Sequence, residues 1–118
     1  MTLRDVFTEL SAKILCGSDE QLDAEVATAA AGDLMSDILA RLGSPDVLLT
    51  GLTNTQAVRT SSVSGIKSIL VVRGKPVNDS MIELAREEDI TLAVTELSMF
   101  TVSGRLYAMG LRSGMDSD

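Results

Sequence analysis

The chain has 118 residues, of which 45% are apolar and 23% charged, and its mean hydropathy is +0.23. This composition excludes a disordered chain, and the length suits one compact domain. Seventeen acidic and ten basic residues give a net charge of −7, which argues against binding to nucleic-acid phosphates. Because the chain has no histidine and one cysteine, Cys16, we expect no metal, no cofactor, no internal disulfide and no catalytic histidine relay.

The sequence also predicts where the protein resides. No basic-then-apolar leader opens the chain, and no apolar run approaches the roughly 20 residues of a membrane helix. A single cysteine fits a reducing compartment. We therefore expect a cytoplasmic protein that does not associate with membranes.

The first part of the chain predicts a helix followed by two strands. A helix over residues 2–11 is indicated by apolar residues at helical spacing, and Thr2 and Asp5 resemble a capping box. Lys13–Cys16 predicts a short strand. Residues 22–31 fit a helix or a strand, and the alternation of Val26, Thr28 and Ala30 favours a strand ending near Gly32.

A second helix is predicted from Asp33 to a stop at Gly43, before Pro45. Asp33, Ser36 and Asp37 could form a small polar patch at the start of this helix. The favoured interpretation is that Asp33 caps the helix and Asp37 is exposed to solvent.

Three apolar runs then alternate with helix-compatible stretches. The runs are Val47–Thr50, Ser68–Val72 and Thr91–Thr95, and the stretches are Asn54–Ser64, Asp79–Glu88 and Leu97–Leu111. Continuous apolar runs are typical of parallel strands covered by helices on both faces. The sequence therefore predicts one three-layer α/β/α domain over residues 1–118, with a mainly parallel sheet, a core over 13–111 and a polar, frayed tail at 112–118.

Ligands of open parallel sheets collect outside the carboxyl ends of the strands, where helix N-termini attract anions. The residues that follow the three runs make up the candidate site: Thr50, Gly51, Thr53, Asn54, Arg73, Gly74, Lys75 and Thr95. They predict a pocket for a small anionic or polar ligand. Each residue also has an ordinary explanation, as a helix cap, a turn residue or a solvated charge.

Two nucleotide-binding motifs are absent from the sequence. A Walker A loop is excluded near Gly74 and Lys75, because Pro76 replaces the required hydroxyl residue and Ile69 the first glycine. No G-x-G-x-x-G run is present either. Cys16 is predicted to be a small buried apolar residue rather than a nucleophile.

From about Lys13 to Leu111 the chain resembles the DRTGG domain family. The resemblance is carried by four ordered segments: AAAGDLMSDILA (29–40), LLTGLTNTQAV (48–58), SILVVRGKPVNDSMIELAREEDITLAVT (68–95) and TELSMFTVSGRLYAMGL (95–111). The name-giving Asp-Arg-Thr-Gly-Gly string is absent. Asn54 and Thr55 stand near its Asp-Arg position, and Val72, Arg73 and Gly74 near its Thr-Gly-Gly turn.

The resemblance implies an α/β/α fold similar to the N-terminal domain of HPr kinase/phosphorylase. Related domains are accessory parts of phosphate acetyltransferases and of pyrophosphatases with CBS domains, where they look regulatory or dimer-forming. Stand-alone relatives tend to be encoded beside iron hydrogenase and electron-transfer proteins. The kinase activity sometimes attached to the family is not expected here, because the Walker A loop is missing.

Three functions remain open at this point, of which an enzyme, either a phosphotransferase or a hydrolase, is the least favoured because the sequence supplies no nucleophile–base pair and no metal cluster. The leading hypothesis is a non-catalytic regulatory or assembly domain that forms a homodimer or binds a partner protein. A stripe of small residues supports it, although the same stripe could pack within the monomer: Ala57, Val58, Ser61, Ser62 and Gly65. The alternative is a sensor that binds a phosphate-bearing metabolite or nucleotide at the predicted pocket.

Overall fold

A computed structural model describes residues 1–40 and 44–114 of the chain. In these ranges strands and helices alternate along much of the sequence. The strands are β1 (Lys13–Cys16), β2 (Thr28–Ala31), β3 (Val47–Thr50), β4 (Ser68–Val71), β5 (Thr91–Val94) and β6 (Arg112–Ser113). The helices are α1 (Leu3–Glu9), α2 (Asp19–Leu22), α3 (Met35–Ala40), α4 (Thr55–Val63), α5 (Asp79–Glu87) and α6 (Met99–Met109).

The six strands form one sheet in the order β1-β5-β4-β3-β2-β6. Every pairing is parallel except that of β1, which runs antiparallel to β5 at one edge. Strands β3 and β4 are buried along their whole length, which explains their continuous apolar sequence. The predicted mainly parallel sheet is confirmed.

Helices cover both faces of this sheet. Because neighbouring strand residues point to opposite faces, Ile69 packs into a core under α3, α4 and α5, whereas Leu70 packs into a second core under α1 and α6. Met81 of α5 and Phe7 of α1 are among the largest fully buried side chains of the two layers. The predicted α/β/α architecture is therefore confirmed.

The N-terminal elements agree with their sequence signals. Thr2 and Asp5 form the expected capping box at the start of α1. Cys16 is buried and its Sγ donates to the carbonyl of Ile90 at 3.4 Å. Burial raises the pKa of this thiol, which disfavours the thiolate, and the prediction that Cys16 is buried is confirmed.

Two short elements differ from the predictions. The helix α2 was not predicted, because its four residues are too few to show a helical period. The tail predicted at 112–118 is wrong for its first residues, since Arg112–Ser113 forms β6 beside β2 and Gly114 donates its N–H to Ala29 at 2.9 Å. Such pairing uses backbone atoms, so polar side chains do not prevent it. The predicted helix stop at Gly43 and tail positions 115–118 lie outside the described residues.

The stripe of small residues on α4 faces into the monomer. Ala57, Val58 and Ser61 have no exposed surface, and the first two belong to the core beneath α3, α4 and α5. Of the two explanations that the sequence left open, the structure favours packing within the monomer.

Candidate functional site

The loops that follow β3, β4 and β5 lie at one edge of the sheet. These three strands are parallel neighbours, so their carboxyl ends point the same way. The loop after β4 is bound to the loop after β5: Arg73 donates its N–H to Leu97 at 2.8 Å, and Gly74 donates to Thr95 at 2.7 Å. The predicted site residues therefore lie on adjoining loops, in an arrangement we call the carboxyl edge.

The carboxylate of Asp33 anchors the first of these loops. Its Oδ1 accepts the hydroxyl of Thr50 at 2.9 Å and the N–H of Gly51 at 2.6 Å. The prediction that Asp33 caps the next helix is wrong, because α3 begins only at Met35 and the carboxylate turns toward β3 instead. Its partners come from a neighbouring strand, which local sequence does not reveal.

Hydrogen bonds and nearby cations hold the pKa of Asp33 below its ordinary value. The largest cause is the N–H of Gly51, which is opposed by partial burial and reinforced by the hydroxyl of Thr50. The positive charges of Lys75 and Arg73 lower this pKa further. Asp33 is therefore ionised at neutral pH, with both cations in its vicinity.

Arg73 lies close to Gly51. A Cβ atom on Gly51 would stand 3.0 Å from Nη2 of Arg73 and 3.4 Å from Oδ2 of Asp33, so the missing side chain leaves room for both groups. Arg73 and Gly74 have φ values of 66° and 59°, so both lie in the left-handed region, which glycine adopts readily and other residues rarely. Within residues 1–40 and 44–114, neither Arg73 nor Lys75 forms an ion pair within 4.0 Å.

Two of the three predicted threonines, Thr50 and Thr95, are buried and bonded within the protein. The hydroxyl of Thr95 donates to the carbonyl of Leu10 at 2.8 Å and accepts the N–H of Leu97 at 3.3 Å. The hydroxyl of Thr50 donates to Asp33 and accepts the N–H of Leu52 at 3.2 Å. A hydroxyl has one proton, and each threonine already donates it within the protein. Both side chains therefore hold the loops in place and have no proton left to donate to a ligand.

The remaining predicted residues lie around the start of α4 and in the turn. Asn54 is the N-cap of α4, and its Oδ1 accepts the N–H of Ala57 at 3.1 Å. Thr53 precedes this cap and is partly exposed. The structure thus brings Gly51, Arg73 and Lys75 together with Asp33, and gives Asn54 the ordinary capping role.

Sequence reasoning missed a cavity at the opposite edge of the sheet, where β3, β4 and β5 begin. This amino-edge cavity has a volume of about 730 Å³ and is lined by residues that include Leu3, Val26, Lys67, Ser68 and Thr91. Ser68 and Thr91 are hydroxyl residues at the first positions of two otherwise apolar strands, and they are the one feature of the sequence that pointed to this cavity. A second cavity of about 330 Å³ lies between α6 and β2.

Residues 5–109 match the family model of the DRTGG domain. The chain belongs to the DRTGG domain family. The resemblance inferred from the sequence is thereby confirmed. In this DRTGG domain the Asp-Arg-Thr-Gly-Gly string is absent, and the structure places Asp33 and Arg73 together beside Gly51.

One solved structure similar to this DRTGG domain comprises the CBS and DRTGG domains of the regulatory region of Clostridium perfringens pyrophosphatase, complexed with its activator diadenosine tetraphosphate. The match has a TM-score of 0.73 at 20% sequence identity and covers 99% of this chain. It covers 51% of the pyrophosphatase chain, so the domain spans about half of that structure. None of the curated proteins matches this chain.

The described parts of this DRTGG domain contain neither a metal-binding cluster of side chains nor a membrane-spanning helix. Across residues 1–40 and 44–114, no group of three or more Cys, Asp or Glu side chains is arranged to hold a metal ion. No helix in the same ranges is both long and apolar enough to cross a membrane.

Proposed function

We propose that this DRTGG domain is a non-catalytic regulatory domain that senses a phosphate-bearing metabolite at the carboxyl edge. The observation that supports this function best is the pair of cations Arg73 and Lys75, which lie near Asp33 without a close ion-pair partner in the described residues. Guanidinium and ammonium groups are the usual ligands of phosphate oxygens. Gly51 adds space, because it has no side chain between Arg73 and Asp33.

Asp33 narrows the proposed ligand class to nucleotides. Its Oδ1 is bonded to Thr50 and Gly51, whereas Oδ2 lies on the side of Gly51 that Arg73 also approaches. An ionised carboxylate accepts hydrogen bonds from sugar hydroxyls, as in other nucleotide sites. A nucleotide would therefore place its phosphates on Arg73 and Lys75 and its ribose on Asp33. The nucleotide activator of the similar pyrophosphatase region supports the same class.

Thermal unfolding with matched ligands tests this proposal. A nucleotide at 100 times its dissociation constant should stabilise the protein by about 2.7 kcal/mol. ADP should stabilise more than pyrophosphate or ribose alone, and Arg73→Ala should remove most of this stabilisation. Arg59→Ala is the control, because it removes an exposed arginine of α4 elsewhere on the surface. Equal loss in both variants, or no stabilisation by any nucleotide, would contradict the proposal.

We also propose that the domain assembles as a homodimer through α6. Phe100 and Tyr107 are 89% and 64% exposed, and between them Gly104 has no atom within 4 Å of the position of a Cβ. This gap could accept Phe100 of a second copy, and exposed apolar groups of this kind mark interaction surfaces. Light scattering should show that Phe100→Glu dissociates the dimer, whereas Val63→Glu, at an exposed apolar residue of α4, does not. A monomeric wild type would refute the dimer.

Two further expectations stay predictions. The family resemblance implies association with hydrogenase or electron-transfer proteins, and the lone Cys16 favours a cytoplasmic location. Copurification from the native cell with the domain carrying an affinity tag tests both, because a partner and its compartment would be identified together.

A further inference from the structure

The amino-edge cavity is distinct from the carboxyl edge, and it contains a polar group that the fold leaves unused. Thr91 lines the cavity and its side chain has no exposed surface. Its Oγ1 has no hydrogen-bond partner among residues 1–40 and 44–114. A buried hydroxyl without a partner is destabilising, so its presence beside a cavity points to a partner that comes from outside the chain.

Ser68, on the neighbouring strand β4, presents a second hydroxyl at the base of the same cavity. Ser68 pairs with Thr91 in the sheet, is almost completely buried, and donates to the carbonyl of Asp46. Leu3 and Val26 add apolar surface beside these two residues. The base of the cavity can therefore receive a molecule with an apolar body and a polar end, and the volume of about 730 Å³ is typical of small-molecule sites.

The charged residues around the cavity indicate whether the polar end of the ligand is positively or negatively charged. Four carboxylates line it, Glu20, Glu25, Asp46 and Asp89, against the single ammonium of Lys67. Glu25 is paired with the N-terminal amine at 2.6 Å, and Oδ2 of Asp46 accepts the N–H groups of Ala27 and Thr28 at 2.7 and 3.1 Å. Glu20 and Asp89 have no ion-pair partner within 4.0 Å in the described ranges, so the remaining charge is negative.

We propose that the amino-edge cavity binds a small aliphatic amine, with its ammonium group between Thr91 and the carboxylates and its alkyl chain on Leu3 and Val26. Oγ1 of Thr91 has no exposed surface in its present position, so the side chain would turn toward the cavity to accept a hydrogen bond from the ammonium, which would satisfy the unused group. Glu20 and Asp89 would add Coulomb attraction, and Lys67 would oppose it. This site takes a cation, whereas the proposed nucleotide site takes an anion at the other edge, so the two proposals are independent.

Three probes of equal chain length test the charge preference. The ¹⁵N-labelled protein is titrated with 1,5-diaminopentane, 1,5-pentanediol and glutarate, and amide shifts are followed by NMR. We expect the diamine alone to bind, with the largest shifts at Val26, Ser68 and Thr91 and none at Gly51 or Arg73. Equal shifts with the diol or glutarate, shifts spread over all surface carboxylates, or no shifts would each overturn the proposal.

Two variants test the residues. Thr91→Val keeps the shape of the side chain and should weaken diamine binding about tenfold, as expected for a lost hydrogen bond to a charged group. Ser61→Ala is the matched control, because it removes another buried hydroxyl without a partner in the described residues, on α4. Lys67→Ala should strengthen binding, a gain that misfolding cannot produce. Unchanged affinity in both Thr91→Val and Lys67→Ala would refute the assignment.

Discussion

Nη2 of Arg73 lies 3.0 Å from the position that a Cβ atom would occupy on Gly51, so the two neighbouring loops of the carboxyl edge meet at these residues. Such a distance is shorter than an ordinary van der Waals contact between heavy atoms. The absence of a side chain at position 51 is therefore what allows the guanidinium to approach Asp33. A side chain introduced at position 51 should therefore change the ligand site without changing the fold.

Gly51→Ala should weaken nucleotide binding while leaving stability almost unchanged. The φ of Gly51 is not in the left-handed region, so alanine introduces no backbone strain, and the atom it would contact is the far end of a flexible side chain. We expect the free energy of unfolding to change by less than about 0.5 kcal/mol, and nucleotide affinity to fall about tenfold as Arg73 is displaced. Urea unfolding and calorimetric titration measure the two quantities. A large loss of stability would show that the contact matters to the fold instead.

Asp33→Ala should reduce stability in a pH-dependent way. It leaves the buried hydroxyl of Thr50 and the N–H of Gly51 without their acceptor. Because the carboxylate is solvent-exposed, we expect the free energy of unfolding to fall by only about 1 kcal/mol. The pKa of Asp33 is lowered in the folded state, so its contribution is present above the ordinary pKa and is lost as the pH falls through the lowered value.

Urea unfolding at three pH values tests that dependence. The stability difference between wild type and Asp33→Ala should be constant between pH 7 and about pH 5 and should shrink toward pH 3. Asp79→Ala is a suitable control, because Asp79 is an exposed residue in the first turn of α5. A difference that grew on acidification would contradict the lowered pKa.

Two glycines should respond to alanine in opposite directions. Gly74 has a φ of +59° and a Cβ there would clash with a carboxylate oxygen of Glu96, so Gly74→Ala should destabilise the domain by about 1–2 kcal/mol. Gly104 lies within α6 with open space around it, so Gly104→Ala should stabilise it by about 0.5–1 kcal/mol through helix propensity. Thermal unfolding at low protein concentration measures both. Stabilisation by Gly74→Ala would contradict the left-handed turn, and destabilisation by Gly104→Ala would contradict the open space on α6.

Thr95→Val should be far more damaging than Thr91→Val. The first change removes the hydrogen bond to the carbonyl of Leu10 and leaves a polar group unpaired, a loss of about 1–3 kcal/mol. The second removes a hydroxyl that has no partner within the described chain, so stability should hold or rise slightly. Urea unfolding of the two valine variants compares them directly. Similar losses would mean that Thr91 has a partner.

The core of the fold could be predicted from the sequence because its signals are long and local. Val47–Thr50 was predicted with its observed bounds, and Asp79–Glu88 differs from α5 by one residue. The strand is indicated by the continuous burial of its own side chains, and the helix by the periodic burial of its own. The Arg112–Ser113 strand could not be found this way, since two residues carry no period and their pairing depends on the backbone of β2.

The candidate site was predictable only in part. Parallel strands bring their carboxyl ends to one edge, so the proximity of Gly51 and Arg73 followed from the strand assignments. The role of Asp33 did not follow, because its hydrogen bonds cross from the end of β2 to the end of β3. The amino-edge cavity was also missed, since the residues that surround Thr91 in it come from distant parts of the sequence.

The turn at Arg73 and Gly74 is hydrogen-bonded to Thr95 and Leu97, the residues that lead directly into α6. A molecule that pulls on Arg73 therefore pulls on the beginning of the helix that carries Phe100 to the surface. A ligand bound at the carboxyl edge would thus shift the orientation of α6 slightly through these two backbone hydrogen bonds, and the exposed ring of Phe100 would move with the helix.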